Sequence, residues 1–189
     1  FSCGFAPMDR FLKQGLTKQI SAGYVNVFCA TTDDGTVVGY YTLSSFDVMR
    51  DHAPQLAGRS APPTIPATYI KAVAVDQTWQ GRKIGTALMV NAMKRAMAAA
   101  ETVASSAIVL DVLKDDDFDR RWAFYERLGF QPLHDPENPH RVFVSMADVR
   151  ATLNSSHTTR SPASTLFAMR PPRSSSNRIG PRRSSRRCS

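Results

Sequence analysis

The chain has 189 residues, 42% of them apolar and 21% charged, with 24 Lys and Arg against 16 Asp and Glu. That is enough chain for one domain with a core and too little for two, and it excludes wholesale disorder, collagen-like repeats and a long coiled coil. The net charge of +8 belongs to one end: residues 151–189 hold eight arginines and no acid, whereas residues 1–150 hold 16 basic and 16 acidic groups and balance. No apolar run is long enough for a membrane-spanning helix. Three widely spaced cysteines (Cys3, Cys29, Cys188) make neither a disulfide framework nor a metal-ligand pattern. We therefore expect no metal, no membrane contact and a reducing, cytoplasmic setting. The sequence opens on Phe1 without a signal-peptide pattern, as expected of a cut or processed N-terminus.

In chain order, Met8, Phe11, Leu12 and Leu16 form an apolar stripe that predicts a helix over 8–20. Residues 24–32 and 36–46 read as two strands joined by a hairpin turn at Asp34-Gly35. The four prolines within 47–66 predict a loop with one helical turn. Residues 68–76 read as a buried strand, 78–85 as a glycine-punctuated loop and 84–101 as a long helix, with Ile84, Leu88, Ala92 and Ala96 on one side and Met89, Met93 and Met97 beside them. A strand over 107–113, a helix over 116–128 ended by Gly129, and short strands over 130–133 and 141–146 complete a mixed α/β domain, one sheet with helices on both faces. From 149 the composition turns to Ser, Pro and Arg, and residues 149–189 are expected to be a disordered basic tail. Such a tail is either a solvated appendage or a nonspecific hold on RNA or an acidic protein.

The informative segment is 71–88. A buried strand runs to Asp76, a loop carries Gly81 and Gly85, and a long helix follows, with Arg82 and Lys83 at its start. Glycines let backbone N–H groups approach an anion, and a helix N-terminus adds partial positive charge. A pyrophosphate cradle and a plain strand-to-helix turn are both open on spacing alone. The dinucleotide fingerprint fails, because Gly81 and Gly85 are four apart with no third glycine; the P-loop pattern fails, because Lys83 precedes its glycine.

What remains, Gln80-Gly81-Arg82-Lys83-Ile84-Gly85, resembles the coenzyme A motif Q/R-x-x-G-x-G/A of the GNAT acetyltransferases. The segment AVAVDQTWQGRKIGTALMVNAMKRA resembles the strand–loop–helix core of that superfamily, and FYERLGFQPL its C-terminal F-Y-x-x-x-G-F element. FSCGFAPMDRFL and VVGYYTLS are similar to a narrower branch, the GNAT toxins of bacterial toxin–antitoxin pairs. The resemblance spans about 1–148. It departs in two places: the fourth motif position, ordinarily Gly, is Lys83, and the strand that ordinarily precedes the FSCG element is missing.

The resemblance implies an α+β fold of one mixed, mostly antiparallel sheet with splayed central strands, and acetyl-CoA as cosubstrate. Val73, Ala74 and Val75 would face the pantetheine arm, with one N–H near Val73 as oxyanion donor. Gln80, Gly81, Arg82, Lys83, Ile84, Gly85 and Thr86 would hold the diphosphate. Tyr125 would be the O–H donor to the leaving thiolate, although on sequence alone a core aromatic beside Phe118 and Trp122 is the stronger reading. The implied acceptor is the α-amine of aminoacyl-tRNA, with a ribbon-helix-helix antitoxin and a homodimer as partners. Of the residues flanking the acceptor cleft, Tyr41 and Ser44 are expected to line it; Tyr40 and Tyr41 point to opposite faces, so at most one of them does. Lys94 and Arg95 either meet tRNA phosphates or form a solvated helix face. No convincing base is found: Asp111, Glu126, His52, His134 and His140 all have commoner structural roles. An α-amine, with a pKa of about 7.7–8.0, needs a base less than a lysine at about 10.4. A small amine or protein N-terminus as acceptor, and a noncatalytic RNA- or partner-binding role for the basic tail, are the alternatives.

Overall fold

The computed structural model describes residues 1–156 and 168–170. The predicted first helix is present as α1 (Ala6–Arg10) and α2 (Leu16–Ser21), joined without a break by one π turn over Phe11–Gly15. Its stripe of Met8, Phe11, Leu12, Leu16 and Ile20 packs on Val25, Val27, Tyr40, Ala72 and Ala74. β1 (Asn26–Thr31) and β2 (Val37–Met49) form the expected hairpin. Gly35 takes φ +87°, and the Asp34 carboxylate accepts from Thr36 N and Oγ1, both at 3.2 Å.

β2 runs three residues past its predicted end, and β3 (Thr64–Ile70) starts before Pro66, so the loop expected over 47–66 contracts to 50–63. Pro66 is tolerated because it lies before the β3–β5 ladder begins at Thr68↔Ile108, where no N–H is required of it. β5 (Ala107–Asp111) runs parallel to β3 and antiparallel to β7 (Arg141–Ser145), which in turn pairs with the short β6 (Gln131–Pro132). α3 (Ile84–Ala100), α4 (Phe118–Arg127) and α5 (Met146–Ser156) complete the domain. α3 buries Ile84, Leu88, Met89, Ala92, Met93 and Ala96 against the sheet, the side that its apolar spacing predicts. Along β5, Ile108 and Leu110 join this core, whereas Ala107 and Val109 join a second one on the opposite face.

Two expectations about the chain's second half change. The strand expected over 68–76 is two strands: β3 stops at Ile70, and β4 (Val73–Val75) pairs with the first half of β2, Gly39↔Val75 to Tyr41↔Val73. The boundary expected at 148 falls inside α5, which buries Val149 and Leu153. Beyond it, β8 (Ala168–Arg170) pairs antiparallel with the outer edge of β1. Disorder expected of the tail concerns residues 157–167 and 171–189, which lie outside the described residues.

The break between β3 and β4 positions the site. β2 is shared: its residues 44–49 pair with β3 and its residues 39–41 with β4. At the junction Thr42 N donates to Ala72 O (2.9 Å), and Ala72 N donates to Thr42 Oγ1 (3.1 Å). The hydroxyl thus replaces the strand partner that the offset removes. Past Ile70↔Leu110 the β3–β5 ladder ends, and a seam opens between β4 and β5. Thr42 is fully buried. Thr42→Val keeps its shape but strands the Ala72 N–H, and we expect it to lower stability by about 2 kcal/mol in chemical denaturation.

Candidate functional site

The loop between β4 and α3 is held from both ends. Asp76 accepts from Thr78 Oγ1 (2.6 Å) and N (3.0 Å) and from Ser2 N (2.9 Å); the Thr78 hydroxyl first, then the Ser2 amide, hold its carboxyl below the ordinary range. Gln77 N donates to Ser2 O (2.8 Å), so the first residues lie along the loop. Gly4 turns away at φ +88°, where a Cβ would come within 2.6 Å of Gln77 Nε2. Gln80 Nε2 donates to Cys3 O (3.0 Å) and Val75 O (3.1 Å). Its side chain therefore ties the loop together.

Gly81 has φ +76°, and Lys83, the residue before α3, has φ +61°, ψ +12°. Lys83 is the one non-glycine at positive φ among the described residues. This explains why a glycine suits the fourth motif position: a Cβ there costs roughly 1 kcal/mol. The backbone geometry is kept despite the lysine. Lys83→Gly should raise stability by about 0.5–1 kcal/mol in thermal unfolding while removing a positive charge from the cradle. α3 has 17 residues, and the first N–H groups of a helix lack intrahelical acceptors. Here they open, with Gly81, Lys83, Ile84, Gly85 and Thr86, onto a cavity of about 620 Å³.

From this cradle the cavity follows the seam. Thr42 N bonds Ala72 O and Asp76 N bonds Val38 O (both 2.9 Å), with Tyr40 opposite Ala74 between them. Residues 72, 74 and 76 thus face β2, and the backbone groups of Val73 and Val75 face the seam. Val73, Ala74, Val75, Ile70 and Leu110 line it, and at its inner end stand Phe124 and Tyr125 of α4. Tyr125 is 8% exposed, edge-on to Phe124 and Phe130. Burial pushes its phenol up to about 12, opposed by the Arg121 guanidinium. Gly129 at φ +90° ends α4, with Phe130 N bonded to Tyr125 O (3.0 Å), which fixes the helix end that carries the ring. No polar side-chain atom of the described residues is both sealed and unpaired, so the Tyr125 hydroxyl is not shut off from the cavity. Arg121 is ion-paired to Asp115 and lies 3.9 Å from Asp117. Burial also raises Cys3 and Cys29, which keeps both thiols protonated and unsuited to nucleophilic attack.

Of the residues assigned to the donor, Val73, Ala74, Val75, Gln80, Gly81, Lys83, Ile84, Gly85, Thr86 and Tyr125 line this one cavity, but the Ala74 peptide is turned to β2 and away from the seam, and the Arg82 guanidinium stacks 4.8 Å over the ring of Trp79, which is also in the lining. The acceptor-side assignments fare differently. Tyr41 is fully buried under α3, stacked on Phe28 and bonded through its hydroxyl to Asn91 Oδ1 (2.5 Å), so it cannot line a cleft. Tyr40 is buried on the other face and donates to Met8 O (3.3 Å). Their opposite directions are as the strand alternation requires, but both are core. Ser44 lies away from this cavity, in a hollow of about 310 Å³ with Tyr24 and Asn26. Arg95 stacks 4.3 Å over Phe28 and donates to Asn91, while Lys94 is exposed. Glu126 accepts from Trp122 Nε1 (2.9 Å), and His140 packs edge-on to Phe118.

Sequence reasoning missed one cluster. Asp111, at the end of β5 and lining the cavity, accepts from Arg141 Nε (2.7 Å), Arg141 Nη2 (3.1 Å) and Tyr69 Oη (2.8 Å). Arg141 Nη1 also donates to the buried Asp135 (2.6 Å), and its guanidinium lies 4.9 Å over the Phe46 ring, which stacks on Tyr69. Asp111 is weighed on the sequence only as a base; its partners Tyr69 and Arg141 lie on other strands and give no local signal.

The profile of the Acetyltransferase (GNAT) family matches residues 6–130. The chain is 33% identical over 159 residues to a probable toxin TacT of Sinorhizobium fredii, covering 81% of this chain and 87% of that protein. It is 32% identical over 154 residues to a tRNA-acetylating toxin of Mycobacterium tuberculosis, covering 81% and 88%. A solved structure of an AtaT toxin variant, bound to the C-terminus of the antitoxin AtaR and acetyl-CoA, has the same fold: TM-score 0.66, 24% identity, 81% of this chain and 88% of that one.

Proposed function

The chain belongs to the GNAT acetyltransferase family, and on that footing we propose that it is an acetyl-CoA-dependent toxin that acetylates the α-amine of aminoacyl-tRNA and so blocks translation. The observation that carries the reading is a continuous cavity from the α3 cradle, along the seam, to Tyr125. The cradle fits a diphosphate in shape and in charge: open glycines, a helix N-terminus and Lys83. The donor would supply an acetyl thioester whose sulfur departs as a thiolate.

Each protein group then has a task. Amides between Gly81 and Thr86 bind the diphosphate. The outward-facing backbone of Val73 and the Val75 N–H pair with the pantetheine arm, the Val75 carbonyl being held by Gln80 Nε2, and Val73 N–H polarises the acetyl carbonyl. Tyr125 Oη holds a proton at the sulfur. With a phenol near 12 and a thiol near 8.5, complete transfer is uphill, so Tyr125 acts by donating a hydrogen bond. The protein supplies no nucleophile of its own; the amine attacks directly. The relatives named toxins and the antitoxin-bound fold neighbour support an antitoxin as partner; that this antitoxin is a ribbon-helix-helix protein, that the working form is a homodimer and that it acts in the cytoplasm are further parts of the proposal, implied by the family resemblance.

The test is to incubate the full chain with acetyl-CoA and a set of charged tRNAs, then read the released aminoacyl groups by mass spectrometry. N-acetylated aminoacyl ends on one or more tRNAs are expected. Acetylation of a free amine or a peptide N-terminus with every charged tRNA left untouched would replace this acceptor with the small-amine one.

A further inference from the structure

Beside the seam lies the cluster that joins β3, β5 and β7. On one face of the sheet, register places Tyr69 beside Val109 and Asp111 beside Arg141, with Phe46 two residues along β2 from Ser44, which pairs with Tyr69. This is the face opposite α3. Asp111 is the member that also lines the donor cavity, next to Leu110 and across from Ile70.

A carboxylate offers about four lone-pair positions. Three are taken: Arg141 Nη2 and Tyr69 Oη on Oδ2, and Arg141 Nε on Oδ1. The fourth, on Oδ1, is left on a side chain that is 30% exposed. Arg141 is shared between two carboxylates, Asp111 and the buried Asp135. His52 lies 3.8 Å from Asp135. Asp111 thus shares its one guanidinium partner with a second carboxylate, and its free acceptor position belongs to a residue that lines the cavity. The bidentate fork and the Tyr69 hydroxyl hold that carboxylate in one orientation.

Resting on the aminoacyl-tRNA reading, we propose that Asp111 binds the acceptor's α-amine: Oδ1 attracts the ammonium form and, once the proton is lost to solvent, accepts one N–H of the neutral amine. That leaves the nitrogen lone pair directed along the seam toward the donor carbonyl. Arg141 and Tyr69 are positioning residues that act through Asp111. The arrangement selects for an amine over a hydroxyl at the α-carbon, because only the amine can bring a positive charge to the carboxylate's free acceptor position.

The experiment compares binding of an aminoacyl-tRNA with that of the same tRNA carrying the α-hydroxy analogue, made by deamination, to the full chain loaded with coenzyme A. The wild type is expected to prefer the amine about tenfold, and Asp111→Asn to bind both ends within about twofold of each other, with acetyl-CoA affinity unchanged. Asp111→Asn that keeps acetyl-CoA affinity and still prefers the amine tenfold overturns the assignment. Should Asp111→Asn not fold, Tyr69→Phe decides: a three- to fivefold higher KM for aminoacyl-tRNA with acetyl-CoA affinity unchanged supports it, and an unchanged KM overturns it. A wild type that binds acetyl-CoA but neither binds nor acetylates any charged tRNA overturns the functional reading, and this assignment with it; acetylation that survives with the amine preference intact in Asp111→Asn overturns this assignment alone.

Discussion

Tyr125→Phe lowers kcat for acetyl transfer by roughly 10²–10⁴-fold and leaves the Kd for acetyl-CoA within about twofold. The substitution removes one oxygen from a ring clamped edge-on by Phe124 and Phe130, so the packing that forms the seam is retained. Steady-state kinetics beside calorimetry separates the two quantities; an equal loss in both would mean that the ring shapes the cavity and donates nothing. The pH profile gives a second reading. Because burial pushes the phenol up to about 12, Tyr125 remains a donor well past the ordinary tyrosine range near 10. Activity should show no descending limb from this group below about pH 10. Stability follows the same sign. The folded value lies above the unfolded one, so the contribution is complete below pH 10 and is lost as pH rises from there toward 12. Tyr40, Tyr41 and Tyr69 are raised as well, chiefly by burial, so alkaline unfolding should be steep.

Gly85→Glu separates donor binding from folding in the opposite way. Gly85 lies in the first turn of α3, and a Cβ there meets nothing nearer than Val75 Cγ2 at 3.9 Å. An acid in the first turn of a helix is favoured by the helix dipole by about 0.3–1 kcal/mol, so the melting temperature should hold or rise. The same carboxylate would face the donor's diphosphate, and like charges brought together cost several kcal/mol. We expect acetyl-CoA affinity to fall by at least about 100-fold. Retained affinity would place the diphosphate away from the α3 cradle. Side by side, the two variants test the two ends of one cavity.

The assignment of the cavity's cradle came from the family resemblance, and the motif that carries that resemblance was legible because it is local. Gln80 to Thr86 are contiguous, the helix they lead into has an unbroken apolar face, and Gly129 marks the end of the helix that bears Tyr125. The Lys83 departure did not mislead, since the backbone adopts a left-handed turn with a side chain attached. The acceptor half depends on tertiary register instead. Tyr41 was assigned to a cleft because alternation gives two faces without saying what covers each; α3 covers that one. The split of 68–76 into two strands rests on Thr42, thirty residues away, and nothing within 68–76 announces it. Asp111, Tyr69 and Arg141 come from three strands and meet only once β3, β5 and β7 are in order. α5 was hidden because the basic composition of the chain's end begins within its reach.

The offset that Thr42 patches has a consequence for how freely this protein can change. The channel is cut by a slip in strand pairing, and its β4 wall presents the peptide groups of Val73 and Val75, so along that wall the main chain sets the shape more than the side chains do. The handful of positions that cannot drift are those that set the slip, and a molecule designed to plug the channel would gain most by hydrogen-bonding the main chain, where substitution offers the protein the least escape.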